Sequence, residues 1–350
     1  MRQNKNCAHV QYRMYDNMTR RAYSRSASVL CLILGIVFLT FAGYRFLYAP
    51  MRSAAPDLQV TEYHRILDQY TFDRLAQRRY QSSPIQLEKM TEKTADFTTY
   101  LFSFFSDGKK VSGQVHIPST SGKHPVLVMV RGYVDKEIYV PGVGTRRAAE
   151  VYAKHRYVTI APDFLGYGNS ASESADMLEA RFEKPVTVLN LLASLGSLPQ
   201  VDTRRVGLWG HSNGGQIVLS VLEISKRPYP TVLWAPVSQK FPDSILQFVD
   251  ELPDKGEYLR GQLDLFHERY KDEDYSIQSH VEDIRAPIQL HQGTADALVP
   301  VAWSNDVYAK LKANGNSVNY FVYEGEDHNF SRGKWSQVVE RDVQFFQKQL

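Results

Sequence analysis

The stretch RVGLWGHSNGGQIVLSVLE, residues 205–223, decides how the rest of the chain is read. RVGLW is a short β-rich run, and QIVLSVL is apolar enough for a buried helix. Between them Gly210-His211-Ser212-Asn213-Gly214 fits the pattern G-x-S-x-G. That pattern places a serine on a sharp strand-to-helix turn, with glycines where a Cβ would strike the adjoining strand or helix. Gly215 adds a third small residue where the helix passes close to the sheet. Taken alone, the segment is equally a glycine-rich turn carrying a surface serine, so its surroundings have to decide.

Outward from this turn, strands alternate with helices. FTTYLFSFF and VSGQVHI are β-rich runs joined by Ser106-Asp107-Gly108-Lys109-Lys110, a hairpin signal. PVLVMV (125–130) is a continuous apolar run, as expected of a strand buried on both faces. Further strands are expected at 157–161, 205–209, 231–235, 287–291 and 318–323. Helices are expected at 146–155, 176–197, 213–226, 301–315 and 334–349. The expectation is an α/β fold, a mostly parallel eight-stranded sheet flanked by helices and joined by right-handed crossovers. Residues 239–285 interrupt the alternation, are rich in charge and aromatics, and read as a cap-like insertion over the ligand side of the sheet. Its segment KDEDYS reads as solvated surface.

A serine hydroxyl becomes a nucleophile when a base takes its proton, and an acid must orient that base. On this kind of sheet the chain order is serine, acid, histidine. LHQGTADALVP (290–300) offers Asp296 after the seventh strand, and VYEGEDHNF (322–330) offers His328 after the eighth. Ser212, Asp296 and His328 therefore form the candidate catalytic triad. Glu326 and Asp327 adjoin the histidine but point elsewhere as sequence neighbours. Asp163 comes too early in the chain and reads as a loop brace. The developing oxyanion needs donors. The N–H of Asn213 at the helix start is one candidate, and the N–H of Tyr133 in the loop MVRGYVDKE is the other.

Five segments resemble the catalytic domain of the prolyl oligopeptidase family, within the α/β-hydrolase superfamily. They are FFSDGKKVSGQVHIP, YVTIAPDFLGYGNS, VDTRRVGLWGHSNGG, IRAPIQLHQGTADALVPVAWSNDVYAKLKANG and VNYFVYEGEDHNF, and they span roughly residues 97–350. The resemblance implies an α/β-hydrolase fold, with Ser212 as nucleophile, Asp296 as orienting acid and His328 as base. Asn213 stands where members typically carry tyrosine, and Arg131-Gly132-Tyr133 stands where they usually carry His-Gly-Gly.

Composition frames the rest. The chain has 350 residues, 43% hydrophobic and 23% charged, and a net charge of +3. The first 26 residues hold six cations against Asp16 alone, so the remainder is slightly acidic and offers no nucleic-acid-like basic surface. ASVLCLILGIVFLTFAGY (27–44) carries no charge and approaches the length that spans a bilayer. With its basic flank it reads as an uncleaved anchor, with the N-terminus cytoplasmic and the bulk exported. The expected organisation is a basic tail (1–26), a membrane anchor (27–48), a helical stalk or extension (49–95) and a catalytic domain (96–350). Cys7 and Cys31 are the only cysteines, so the body after residue 44 has no disulfide or zinc-type spacing. No metal or organic cofactor is implied. The expected activity is acyl-bond cleavage on a small substrate. A serine peptidase acting on small peptides is placed ahead of a carboxylesterase. A catalytically silent binding protein is the third reading, with Arg131 beside the oxyanion loop as a site for an acidic ligand.

Overall fold

Nine strands form one sheet in the computed structural model, which describes residues 66–350, and all but the first are runs rich in apolar residues, many of them β-branched or aromatic. The expected tail, the membrane anchor and the first part of the extension lie outside the described residues. Among the described residues no helix is long and apolar enough to cross a membrane. The strands are Gln86–Lys93 (β1), Phe97–Ser106 (β2), Lys109–Pro118 (β3), His124–Val130 (β4), Val158–Pro162 (β5), Val201–His211 (β6), Thr231–Trp234 (β7), Ile288–Gly293 (β8) and Val318–Tyr323 (β9). Their spatial order is β1-β2-β3-β5-β4-β6-β7-β8-β9. The first three pair antiparallel, β3 pairs antiparallel with β5, and all pairs from β5 to β9 are parallel. This is the α/β-hydrolase fold. The β2–β3 hairpin closes through Asp107 and Gly108, both at positive φ, the primed turn whose twist matches the strands it joins.

The helices are Phe72–Gln77 (α1), Arg146–Lys154 (α2), Met177–Ser194 (α3), Asn213–Ser225 (α4), Asp243–Leu246 (α5), Glu257–His267 (α6), Val301–Ala313 (α7) and Trp335–Gln349 (α8). Alternate residues of the central strands face opposite layers. Val126, Val128, Leu208 and Leu290 share a core with α3, α4 and α7. Leu127, Met129, Trp209 and Val232 share the other with α2 and α8. The parallel strands are buried on both faces, which is why they read as unbroken apolar runs.

Two expectations need correction. The sheet has nine strands, not eight. The extra edge strand β1 is exposed along its whole length, so it joins through backbone pairing with β2 and carries no apolar alternation. The described part of the extension expected to be helical (49–95) holds two short helical pieces, a 3₁₀ turn at Ile66–Tyr70 and α1, divided where Thr71 caps α1 by accepting from the Arg74 amide, and then strand β1. Leu67, Tyr70, Phe72, Leu75 and Ile85 are buried in the main core, so the packed unit begins well before residue 96. The insertion holds α5, α6 and several 3₁₀ turns. Phe241, Phe266 and Tyr275 anchor it in ring contact with Phe182 of α3.

Candidate active site

Strand β6 ends at His211, Ser212 follows with φ 56° and ψ −123°, and α4 begins at Asn213. A non-glycine residue at such a φ costs about 1–3 kcal/mol and needs an environment that enforces it. Here the Ser212 amide donates to the Trp234 carbonyl at the end of β7, and the Ser212 carbonyl accepts from the amides of Gly215 and Val237, each at 2.9 Å. Gly214 allows the helix to start this close to β4. A Cβ there would sit 2.0 Å from the Val130 carbonyl oxygen and 2.5 Å from that of Arg131. The sharp turn at Ser212 therefore rests on close contact between α4 and the end of β4.

Asp296 lies in the loop after β8, and each of its oxygens is held. Oδ1 accepts the amides of Leu298 and Val299, both at 2.9 Å. Oδ2 accepts His328 Nδ1–H at 2.8 Å and Gln292 Nε2–H at 3.0 Å. Ser304 on α7 donates to Gln292 Oε1 at 2.7 Å, which fixes the amide of Gln292 with its nitrogen toward Asp296. Burial pushes the Asp296 carboxyl up, but the His328 contact and the two amides outweigh it and hold the group below its ordinary range. An ionised Asp296 on Nδ1 keeps His328 in the tautomer whose Nε2 lone pair is free to accept a proton.

His328, in the loop after β9, is buried, and its backbone carbonyl accepts His211 Nε2–H at 3.0 Å. The two imidazole rings lie 4.6 Å apart. Burial, then the charge of His328, pushes His211 down to about 3, so it stays neutral and donates. His328 is thus tied to the residue that immediately precedes Ser212. The Ser212 hydroxyl has no hydrogen-bond partner among the described residues. The structure brings Asp296 and His328 into direct contact, and His211, which precedes Ser212, packs against His328.

Both expected oxyanion donors are unspent. Among the described residues neither the Tyr133 nor the Asn213 amide donates to another group. A Cβ on Gly132 would lie 3.0 Å from Ser212 Cβ and 3.5 Å from its Oγ, so the backbone preceding Tyr133 runs against the nucleophile. The Tyr133 side chain is 71% exposed.

Arg131 is not the open cation expected of an acidic-ligand site, and that expectation is corrected. The residue is 6% exposed, and its guanidinium donates to the Gly132 carbonyl at 2.9 Å and to the Asp163 carbonyl at 3.1 Å and lies against the rings of Tyr139 and Tyr167. Asp163 braces the same loop, accepting from Ser112 Oγ at 2.6 Å and from the Tyr139 hydroxyl. The other acids near His328 are spent locally. Asp327 accepts the amides of Asn329 and Ser331, and Glu326 those of Arg332 and Lys334. Among the described residues no group of three or more His, Cys, Asp or Glu is placed to hold a metal ion. His211 and Gln292 escaped the sequence reading. The first stood in plain view as the variable residue before the serine, while the second is one polar residue inside an apolar strand.

The model of the prolyl oligopeptidase family matches residues 148–350, the region holding Ser212, Asp296 and His328. An uncharacterized 31.7 kDa protein in the traX-finO intergenic region of Escherichia coli is 26% identical over 113 residues, 32% of this chain. The match spans 37% of that relative's length. Among solved structures, an acetyl xylan esterase from Paenibacillus sp. R4 superposes with a TM-score of 0.60 at 16% identity, covering 83% of this chain and 99% of the other. A putative dipeptidyl aminopeptidase IV from Bacteroides ovatus superposes with a TM-score of 0.56 at 15% identity, covering 73% of this chain and 36% of the other. At these identities the two structures establish the fold alone.

Proposed function

The chain belongs to the prolyl oligopeptidase family of α/β-fold serine hydrolases, and from that premise we propose that it cleaves the acyl bond of small peptides through an acyl-enzyme on Ser212. The observation that carries this reading is the 2.8 Å bond between His328 Nδ1 and an Asp296 whose remaining acceptor sites are all filled. His328 Nε2 takes the Ser212 proton as Oγ attacks the acyl carbon. Asp296 steadies the imidazolium. The amides of Tyr133 and Asn213 receive the oxyanion. His328 then protonates the departing amine, and a water deprotonated by the same nitrogen releases the acid and restores the serine.

A small ester is the second reading. What favours it is that the Paenibacillus acetyl xylan esterase matches this chain over 83% of its length and is itself covered almost whole. The test is hydrolysis of peptidyl 4-nitroanilides and 4-nitrophenyl esters by the full-length protein and its Ser212→Ala variant. Serine-dependent amide cleavage supports the peptidase, and ester cleavage without amide cleavage supports the esterase. Turnover that survives in Ser212→Ala refutes the shared mechanism. We further propose that residues 27–48 anchor the protein with the hydrolase domain on the exported side. The support is an uncharged segment behind a basic flank. Recovery of the full-length protein in the soluble fraction without detergent refutes it.

A further inference from the structure

A narrow cavity of ≈ 30 Å³, open to solvent at its mouth, runs between α3, α4 and the residues around α1. Asn213, the residue after the nucleophile, is part of its wall. So are two cations of α3, Arg181 and Lys184, together with Gln216 and the aromatic rings of Phe182 and Tyr275. We propose that the substrate carries a carboxylate and that Arg181 and Lys184 bind it beside Ser212. This rests on the serine-hydrolase reading and adds a substrate class to it.

The charges in this cavity are compensated only at a distance, by Glu173 and Glu183. Arg181 donates to the neutral side chain of Gln216, and its Nε is buried with no hydrogen-bond partner. Neither Arg181 nor Lys184 pairs with a carboxylate among the described residues. The acids nearest to Lys184 are engaged elsewhere. Glu183 pairs with Lys109 at 3.2 Å, and Glu173 pairs with Lys136. Burial, then the charge of Arg181, pushes the Lys184 amine down to about 8, and burial alone pushes Arg181 down to about 10. Both side chains are partly shielded from water, so two like charges here favour an anion, and the positive end of α4 adds to the same field. Arg131 takes no part, because carbonyls and rings hold its head group. The carboxylate can sit on either side of the scissile bond. In a peptide it is an acidic side chain or the C-terminus, and in an ester it belongs to the acid or the alcohol.

The test measures kcat/KM of the full-length protein for two matched pairs. 4-Nitrophenyl butyrate against mono(4-nitrophenyl) glutarate places the charge on the acyl side. 3-Acetoxybenzamide against 3-acetoxybenzoate places it on the leaving group. The expected result is a preference of about tenfold or more for one charged ester at low salt, and the pair that shows it identifies the side. That preference shrinks in about 0.5 M salt and in Lys184→Gln, a milder change than any at the more enclosed Arg181. Free glutarate gives a second readout. It slows fluorophosphonate labelling of Ser212 in the wild type and does so less in Lys184→Gln. Equal turnover within both pairs, a preference unchanged in Lys184→Gln, or labelling that glutarate does not slow overturns the proposal and leaves the hydrolase reading standing. Failure of both labelling and all ester turnover overturns the two together.

Discussion

Replacing Arg131 by methionine removes the grip on the peptide that leads into the expected oxyanion donor. Arg131 donates to the Gly132 carbonyl at 2.9 Å, and among the described residues the only cis peptide is Phe241–Pro242, so the Gly132–Tyr133 peptide is trans. In a planar trans peptide the N–H points opposite to the C=O. Holding the Gly132 oxygen therefore sets the direction of the Tyr133 amide. The variant loses two hydrogen bonds from a charged group, each worth about 1.5–3 kcal/mol, and cation–π contacts at 4.5 and 4.2 Å worth about 0.5–2 kcal/mol each. Methionine keeps much of the apolar volume, so the loop stays packed while its peptide is free to turn. Removing one oxyanion donor outright costs about 10²–10³ in kcat. A donor that is loosened but still present is expected to cost about 10–100-fold, with KM little changed. Arg131→Lys, which keeps the charge but reaches a single carbonyl, falls between. The assay is steady-state hydrolysis of a 4-nitrophenyl ester alongside the rate of fluorophosphonate labelling, and both rates should fall together because both pass through the same oxyanion geometry. A folded Arg131→Met protein with kcat within about twofold of wild type would refute the reasoning.

Asp296→Asn is expected to lower kcat by about 10³–10⁴-fold with little change in melting temperature, because the asparagine cannot stabilise an imidazolium at Nδ1; a loss below about tenfold excludes Asp296 as the orienting acid. Stability should fall on acidification. Burial holds His211 and His116 neutral, down to about 3 and about 4, while the unfolded chain protonates both near ~6.5. Unfolding then takes up as many as two protons between about pH 6 and pH 4, and stability drops toward acid by at most about 2.7 kcal/mol per pH unit. Urea midpoints across that range measure the slope, His116→Phe should reduce it by about half, and a flat profile contradicts the assignment. Asp342 is fully buried and accepts from Tyr152, Trp234, Gln289 and His291 at 2.7–2.9 Å. Asp342→Ala strands all four donors and is expected to cost about 3–5 kcal/mol in denaturant unfolding; a cost below about 1 kcal/mol means that water replaces the carboxylate.

What could be read from the sequence was whatever backbone geometry dictates locally. The turn at Ser212 was legible because a Cβ at residue 214 has nowhere to go, and the Asp107-Gly108 hairpin because both residues must take positive φ. Asp296 and His328 were legible because they follow strand ends in the order this fold uses. Strand β1 was not, since an edge strand exposed along its whole length has no reason to alternate. The side chains that failed to announce themselves are those whose role depends on remote neighbours. Arg131 reads as a free cation until Tyr139 and Tyr167 are seen on its guanidinium. Arg181 and Lys184 lie three residues apart on the helix expected at 176–197, and nothing local marks them until Phe182 and Tyr275 are seen lining the same cavity. The two cases separate by what the fold supplies to each charge. Arg131 was given two carbonyl acceptors and two π faces, although its Nε stays without a partner. Lys184 was given none, and Arg181 a single neutral amide, which leaves that second site open to an anion from solution.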